Sequence, residues 1–439
     1  MKVKFRYFLL SFLFGVFASC SKDLEPEPTT HPSTFTVRVD TVRHDPSLGD
    51  YPQGPSMFTP DLVMSGLPED EKILSLGGYY SPEDPDPDES DYKFIIDYSG
   101  YEPIQEWDWT QDLIFPAASL DQLIPGKTYY FKGVAKTDKG TYYSNTVTID
   151  TDGLPDYTPS PQDRVLPVVF HVMPRKDGTY PHAYFFDEML ACANRLFGNV
   201  WDLPELSGAG IRFVPATHTT DGVPLPSPGI HYLDEYRELD GNMLDEGLRQ
   251  WLSDDLWDMT EVVNVWVCPF TNDHTPFEVN SFIGGFSYFP YFDKEEMLVG
   301  CNTVCSGCFS GIFLNQKIVG NGYKGVTLFA HEVGHYLGLP HVFDEDWCDD
   351  TPQYDREKYF AEQYIPNIDV YLRYPIDASK KPYIALNVMD YDLVIYSGIT
   401  PQQAERVRYT LDHAYLVPGG KLLPPGLRSS TSSEPLRVY

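Results

Sequence analysis

The eleven residues His331-Glu332-Val333-Gly334-His335-Tyr336-Leu337-Gly338-Leu339-Pro340-His341 constrain the backbone more than any other stretch of this 439-residue chain. Residues four apart lie on one face of an α-helix, about one turn apart. A helix here therefore aims the imidazoles of His331 and His335 at one point. Glu332 adjoins the first imidazole, where its carboxylate can reach a metal-held water without ligating the metal. Gly338 tolerates a left-handed backbone, and Pro340 cannot continue a helix. The chain has to turn there, and the turn returns His341 toward the same point. Val326, Phe329, Val333 and Leu337 recur at helical spacing, which marks a buried face. Three imidazoles with a fourth position left open are the donor set of a catalytic zinc, not the closed shell of a structural one. The bland alternative is coincidence on a core helix. Five fixed positions should arise by chance in roughly one of ten thousand such sequences, so the metal site is preferred.

Downstream stands Asn387-Val388-Met389-Asp390-Tyr391. Extended zinc motifs of this kind carry a methionine turn beneath the metal. With Met389 as its apolar floor, the chain resembles the metzincin metalloproteases, and within them the pappalysin (cytophagalysin) branch. Leu166–Val172 resembles the family's first core strand and Val263–Val267 its central strand. Gly284–Pro290 resembles the glycine-rich segment before the rim strand. Asp350-Thr351-Pro352 and Thr400-Pro401-Gln402-Gln403 follow in the family's order. The likeness spans roughly residues 164–420.

That resemblance implies an α/β (α+β) zinc-protease domain, with Zn²⁺ held by His331, His335 and His341. It implies catalysis by Glu332 as general base, with Tyr391 near the metal. It also implies a calcium site near Asp349, Asp350 and Thr351, although a plain acidic loop fits those residues equally. Some relatives are kept latent by a cysteine from a pro-segment. No cysteine lies between Cys20 and Cys192, so that device is missing. Leu48-Gly49-Asp50 faintly resembles an aspartate-based switch, and a loop turn explains it more simply.

The formal charge of −32 argues against nucleic acid and anionic lipid surfaces as partners. The 31 Tyr and 26 Phe give ample core material, and the length suggests two domains. Residues 1–19 read as a signal peptide: Lys2, Lys4 and Arg6 precede an apolar run too short to span a membrane. Ala18-Ser19-Cys20 resembles a lipobox, which makes Cys20 the lipidation site and the anchor to the outer membrane. Ser21 through Glu27 resembles the export tag of Bacteroidetes surface lipoproteins. Cell-surface exposure is therefore expected, with a periplasm-facing orientation as runner-up. The other six cysteines favour disulfides in an oxidising compartment, stapling catalytic-domain loops. A metal or cluster at Cys301, Cys305 and Cys308 is the weaker alternative.

Residues 20–34 read as a flexible tether. Phe35, Val37 and Val39 alternate with polar residues, a half-buried strand signal. Tyr129–Ala135, the Asp138-Lys139-Gly140 turn and Thr141–Ile149 form a hairpin pattern. This region resembles the end of a fibronectin type III domain, with Leu123 and Tyr129 as its tyrosine corner. The expected architecture is multidomain: an all-β fibronectin type III-like sandwich over 35–152, a linker at 153–163, a metzincin domain over 164–425 and a disordered tail at 426–439. The sandwich would serve as spacer or contact module, or as a pro-like cover over the cleft. Thr400 and Gln403 predict a capping box with Pro401 at the first helical position. The expected function is zinc-dependent endopeptidase activity on extracellular proteins or peptides. The alternative is an adhesin or binding lipoprotein with a vestigial zinc site.

Overall fold

A computed structural model describes residues 35–45, 57–99, 107–118, 120–240, 251–252, 256–271, 283–305, 308–362, 371–391 and 394–422. The signal peptide, Cys20, the tether, the Leu48-Gly49-Asp50 turn and the tail lie outside these residues. No helix among the described residues is long and apolar enough to cross a membrane.

Seven strands come first: β1 Thr36–Asp45, β2 Met57–Ser65, β3 Ile73–Ser81, β4 Tyr92–Asp97, β5 Leu113–Pro116, β6 Thr128–Thr137 and β7 Thr141–Asp150. They form two antiparallel sheets, ordered β1-β2-β5 and β4-β3-β6-β7. Alternation sets the inner faces, since successive side chains point to opposite sides of a strand. Phe35 and Val39 are buried, whereas Thr36 and Asp40 are exposed. Leu62 of β2 and Phe131 of β6 share one core. The sheets meet so closely that a Cβ at Gly133 would lie 2.1 Å from Leu62 Cδ2. The hydroxyl of Tyr129 accepts a hydrogen bond from the Ile124 amide at 3.0 Å.

A third, six-stranded sheet follows, built from β8 Arg164–Val172, β9 Ile211–Pro215, β10 Ile230–Tyr232, β11 Val263–Cys268, β12 Gly285–Ser287 and β13 Ile312–Asn315. Strands β9 and β10 pair with successive halves of one edge of β8, and β11 and β13 follow on its other side, all parallel. Every residue of β11 is buried, as befits a parallel strand covered on both faces. Among the described residues the sheet ends in β12, antiparallel to β13. Gly285–Ser287 is therefore the edge strand itself, where the sequence suggested a segment preceding it.

Four helices have both ends among the described residues: α1 Ala183–Gly198, α2 Gly322–Tyr336, α3 Arg356–Glu362 and α4 Pro401–His413. Helix α1 stops through Asn199, which takes the left-handed conformation at φ 49°; Gly198 remains helical. Phe329 of α2 packs on Phe170 of β8 and Phe213 of β9, with ring centroids 5.5 and 5.8 Å apart. The capping box on α4 forms as predicted, with Thr400 and Gln403 bonding reciprocally.

The cysteines depart from the six-thiol staple. Cys305 and Cys308 are bonded to each other, while Cys192, Cys268, Cys301 and Cys348 are free thiols. Cys192 on α1 and Cys268 on β11 are wholly buried and act there as small apolar side chains.

Candidate metal centre and active site

Helix α2 carries His331 and His335 one turn apart on its final turns. The helix ends at Tyr336 with Leu337 as its C-cap, and Gly338 follows at φ +91°, a region that L side chains rarely enter. This turn brings His341 back. One ligand atom from each of His331, His335 and His341 lies within 4.8 Å of the others. Among the described residues this is the one cluster of three or more His, Cys, Asp or Glu side chains arranged to hold a metal.

The outer nitrogens fix the tautomers. His331 Nδ1 lies 2.8 Å from the Val388 carbonyl oxygen and His335 Nδ1 lies 2.6 Å from that of Leu339. A carbonyl can only accept, so both Nδ1 atoms carry the proton and both Nε2 atoms present lone pairs. His341 Nδ1 faces Asp344 Oδ2 at 3.2 Å. The Nε2 atoms of His335 and His341 are 3.0 Å apart. His331 Nε2 is buried without a hydrogen-bond partner. An orphaned buried acceptor beside two converging nitrogens is a set of donors that a soft-to-borderline divalent cation satisfies. Burial, and the neighbouring imidazole of His341, push the His331 pKa down to about 3. Burial lowers His335 as well. Both rings are thus held neutral, the ligating form.

Glu332 points to the sheet edge. Its carboxylate lies beside Gly285 of β12, where a Cβ would come 3.1 Å from Oε1 and 2.8 Å from the Phe313 carbonyl oxygen. Glycine there leaves room for the acid. Ser287 Oγ–H donates to the Glu332 carbonyl oxygen at 2.8 Å and reaches Oε2 at 3.2 Å. Burial pushes the Glu332 carboxyl up to about 8, opposed by Ser287. A cation on the three imidazoles would oppose it further.

Below the helix sits Met389, wholly buried. A Cβ at Gly334 would lie 2.3 Å from its Sδ, so this glycine between the two histidines admits the methionine. Tyr391 faces the cluster, its ring centroid 4.5 Å from that of His341 and 5.2 Å from that of His331.

The sequence reading missed what pins this turn. Asp390 is buried and accepts from Tyr354 Oη at 2.5 Å, from Arg373 Nε at 3.2 Å and from the Tyr391 amide at 2.8 Å. Gln403 Oε1 accepts from both Asn387 Nδ2 and the Thr400 amide, so the capping box also fastens the Met389 turn. Arg373 and Tyr354 stand at no diagnostic spacing from the zinc motif, and only folding brings them together. Asp350, grouped with a calcium site in the sequence reading, instead accepts from Thr400 Oγ1 and the Gln402 amide at the start of α4. Calcium finds no support, because this carboxylate serves a helix N-terminus. His171 is a buried core histidine, its ring nitrogens 3.0 Å from His231 Nδ1 and from Asn264 Oδ1.

Residues 247–412 match the Peptidase_M43 family, described as Pregnancy-associated plasma protein-A. Among solved structures, mature mirolysin of Tannerella forsythia with a cleaved peptide aligns at 19% identity and a TM-score of 0.41, covering 58% of this chain and 93% of that one. A promirolysin variant of Tannerella forsythia aligns at 18% identity and a TM-score of 0.42, covering 59% and 84%. No curated protein matches the chain. The chain thus resembles the pappalysin-type metzincins over the segment that carries the histidine cluster.

Proposed function

We propose, from this likeness to the pappalysin-type metallopeptidases, that the chain is a zinc-dependent endopeptidase acting on extracellular proteins or peptides. The observation that carries the reading is the convergence of three histidine nitrogens beside a buried, non-ligating carboxylate. His331, His335 and His341 would hold the zinc. The bound metal supplies carbonyl polarisation and a water acidic enough to ionise near neutrality. Glu332 takes a proton from the attacking water and later returns it to the leaving amine. Ser287 orients that carboxylate. Tyr391 is assigned to hydrogen-bond the tetrahedral oxyanion, and Met389 to support the ligand helix. The edge of β12 that faces away from β13 is assigned to pair with an extended substrate.

The two-sheet region is read as a fibronectin type III-like sandwich over 35–152, supported by the β1-β2-β5 and β4-β3-β6-β7 orders and the Tyr129 hydroxyl bond. Lipidation at Cys20 and attachment to the outer membrane remain part of this proposal, on the sequence pattern alone.

The test compares wild type with Glu332→Ala on a broad peptide library. The reading expects cleavage by wild type, abolished by 1,10-phenanthroline and restored by zinc. The variant should lose about three orders of magnitude in kcat/KM, in keeping with loss of a general base. Equal cleavage by both proteins would refute the assignment. A binding lipoprotein with a vestigial site predicts cleavage by neither.

A further inference from the structure

The two-sheet region and the protease-like region are joined by an exposed stretch containing Asp152, Gly153, Pro155 and Asp156. Such connections ordinarily allow relative motion. The contacts across this junction are of another kind. Glu188, on α1, is only 2% exposed. Its Oε1 accepts from Tyr129 Oη at 2.7 Å and from Lys127 Nζ at 3.0 Å, both from the strand region before the linker. Arg195, also 2% exposed, donates from Nη1 to the Leu123 carbonyl oxygen at 3.1 Å. Tyr184 Oη donates to Asp91 Oδ1 at 2.7 Å. Between these polar contacts, Tyr92 of β4 packs on Phe185 of α1, with centroids 4.6 Å apart. One continuous apolar core runs through both regions. The Lys93 amide also donates to the Gly320 carbonyl oxygen, just ahead of α2.

We infer that the two-sheet region is a permanently docked brace of the protease-like region, seated on α1, and neither a mobile spacer nor a removable cover. The physical ground is desolvation. Removing the sandwich would take from Glu188 both of these hydrogen-bond donors and from Arg195 the Leu123 carbonyl, and would expose Tyr92 and Phe185 to water. Buried ionised groups are tolerated when their partners stay in place. An interface of buried aromatics and paired charges resembles the inside of a domain more than a transient contact. The contacts fall mainly on α1, and others reach the carbonyl oxygens of Gly320 and, from Gln122 Nε2 at 2.7 Å, Tyr396. Helix α1 in turn packs on α2, so the brace supports the ligand helix from behind. Docking does not depend on the peptidase reading; only the activity measurement below rests on it.

The test uses the full chain with a recognition sequence for a site-specific protease inserted between Asp152 and Gly153, at an exposed turn that accepts insertions. After complete scission the two pieces should co-elute on native size exclusion and part only in denaturant. Separation of the nicked wild-type protein under native conditions would overturn the inference. In the nicked protein, Glu188→Ala should raise the dissociation constant by about thirtyfold or more, the scale of losing one partner of a buried hydrogen-bonded charge. Association untouched by both Glu188→Ala and Tyr92→Ala would also overturn it, because the docking surface would then lie elsewhere. The active species should retain its N-terminus ahead of Phe35. Full activity in a product that begins after residue 152 and lacks the sandwich would overturn the bracing role.

Discussion

Gly334 stands between two of the three clustered histidines, and its lack of a side chain is what lets Met389 approach the helix that carries them. Gly334→Ala adds one methyl whose carbon would start 2.3 Å from Met389 Sδ and 3.2 Å from its Cε. On helix propensity alone the change stabilises by about 1 kcal/mol. Met389 is fully buried, so its displacement is an overpacking event costing about 1–3 kcal/mol. The net effect is a loss of about 0–2 kcal/mol. Met389→Ala alone opens a cavity and should cost about 2–5 kcal/mol. In the double variant the new methyl occupies part of that space. The two effects should therefore be less than additive, with a coupling of about 0.5–3 kcal/mol. Val388, whose carbonyl orients His331, moves with the turn. Zinc affinity of Gly334→Ala should accordingly fall about 10–100-fold, the usual scale for disturbing a ligand's support. Urea unfolding of the four metal-stripped proteins and chelator competition for zinc supply the measurements. A Gly334→Ala protein stabilised by about 1 kcal/mol with unchanged zinc affinity would refute the reasoning. So would strict additivity in the cycle.

Two further outcomes follow from buried polar groups. Arg373→Leu leaves the Asp390 carboxylate buried beside only Tyr354 and a backbone amide; it should cost about 3–5 kcal/mol in chemical denaturation, against little change if the ion pair were incidental. His171 is pushed down to about 3 by burial and by His231, so the unfolded chain takes up its proton first as pH falls through about 6.5. The contribution of this depressed group is complete above about pH 6.5 and is lost toward about pH 3. The stability advantage of wild type over His171→Gln should shrink by about 1.4 kcal/mol per pH unit below 6.5. Parallel pH profiles for the two proteins would contradict this.

The candidate site was legible because its ligands are local. His331, His335 and His341 lie within eleven residues, and helix geometry followed by one glycine turn brings them together with little help from elsewhere. Met389 and Tyr391 were legible only through family likeness, since no spacing rule ties them to the helix. The supports of that turn were invisible. Arg373, Tyr354 and Gln403 meet Asp390 and Asn387 through tertiary contacts, which leave no periodic trace in sequence. The cysteines show the same limit, because a count cannot say that Cys192 and Cys268 face into packed core.

The sequence by itself determined the donor set, the adjoining carboxylate, the turn that returns the third histidine, and the alternation that makes the first strands half-buried. All of these are short-range, set by 3.6- and 2-residue periods and by the conformational range of glycine. Tertiary structure alone decided that Gly285–Ser287 is the sheet edge beside Glu332 and that Asp350 serves a helix N-terminus. It alone seated the two-sheet region on α1 through Glu188. Those outcomes depend on which surfaces meet after collapse, where the desolvation of distant partners, unreadable from neighbours in sequence, selects the arrangement.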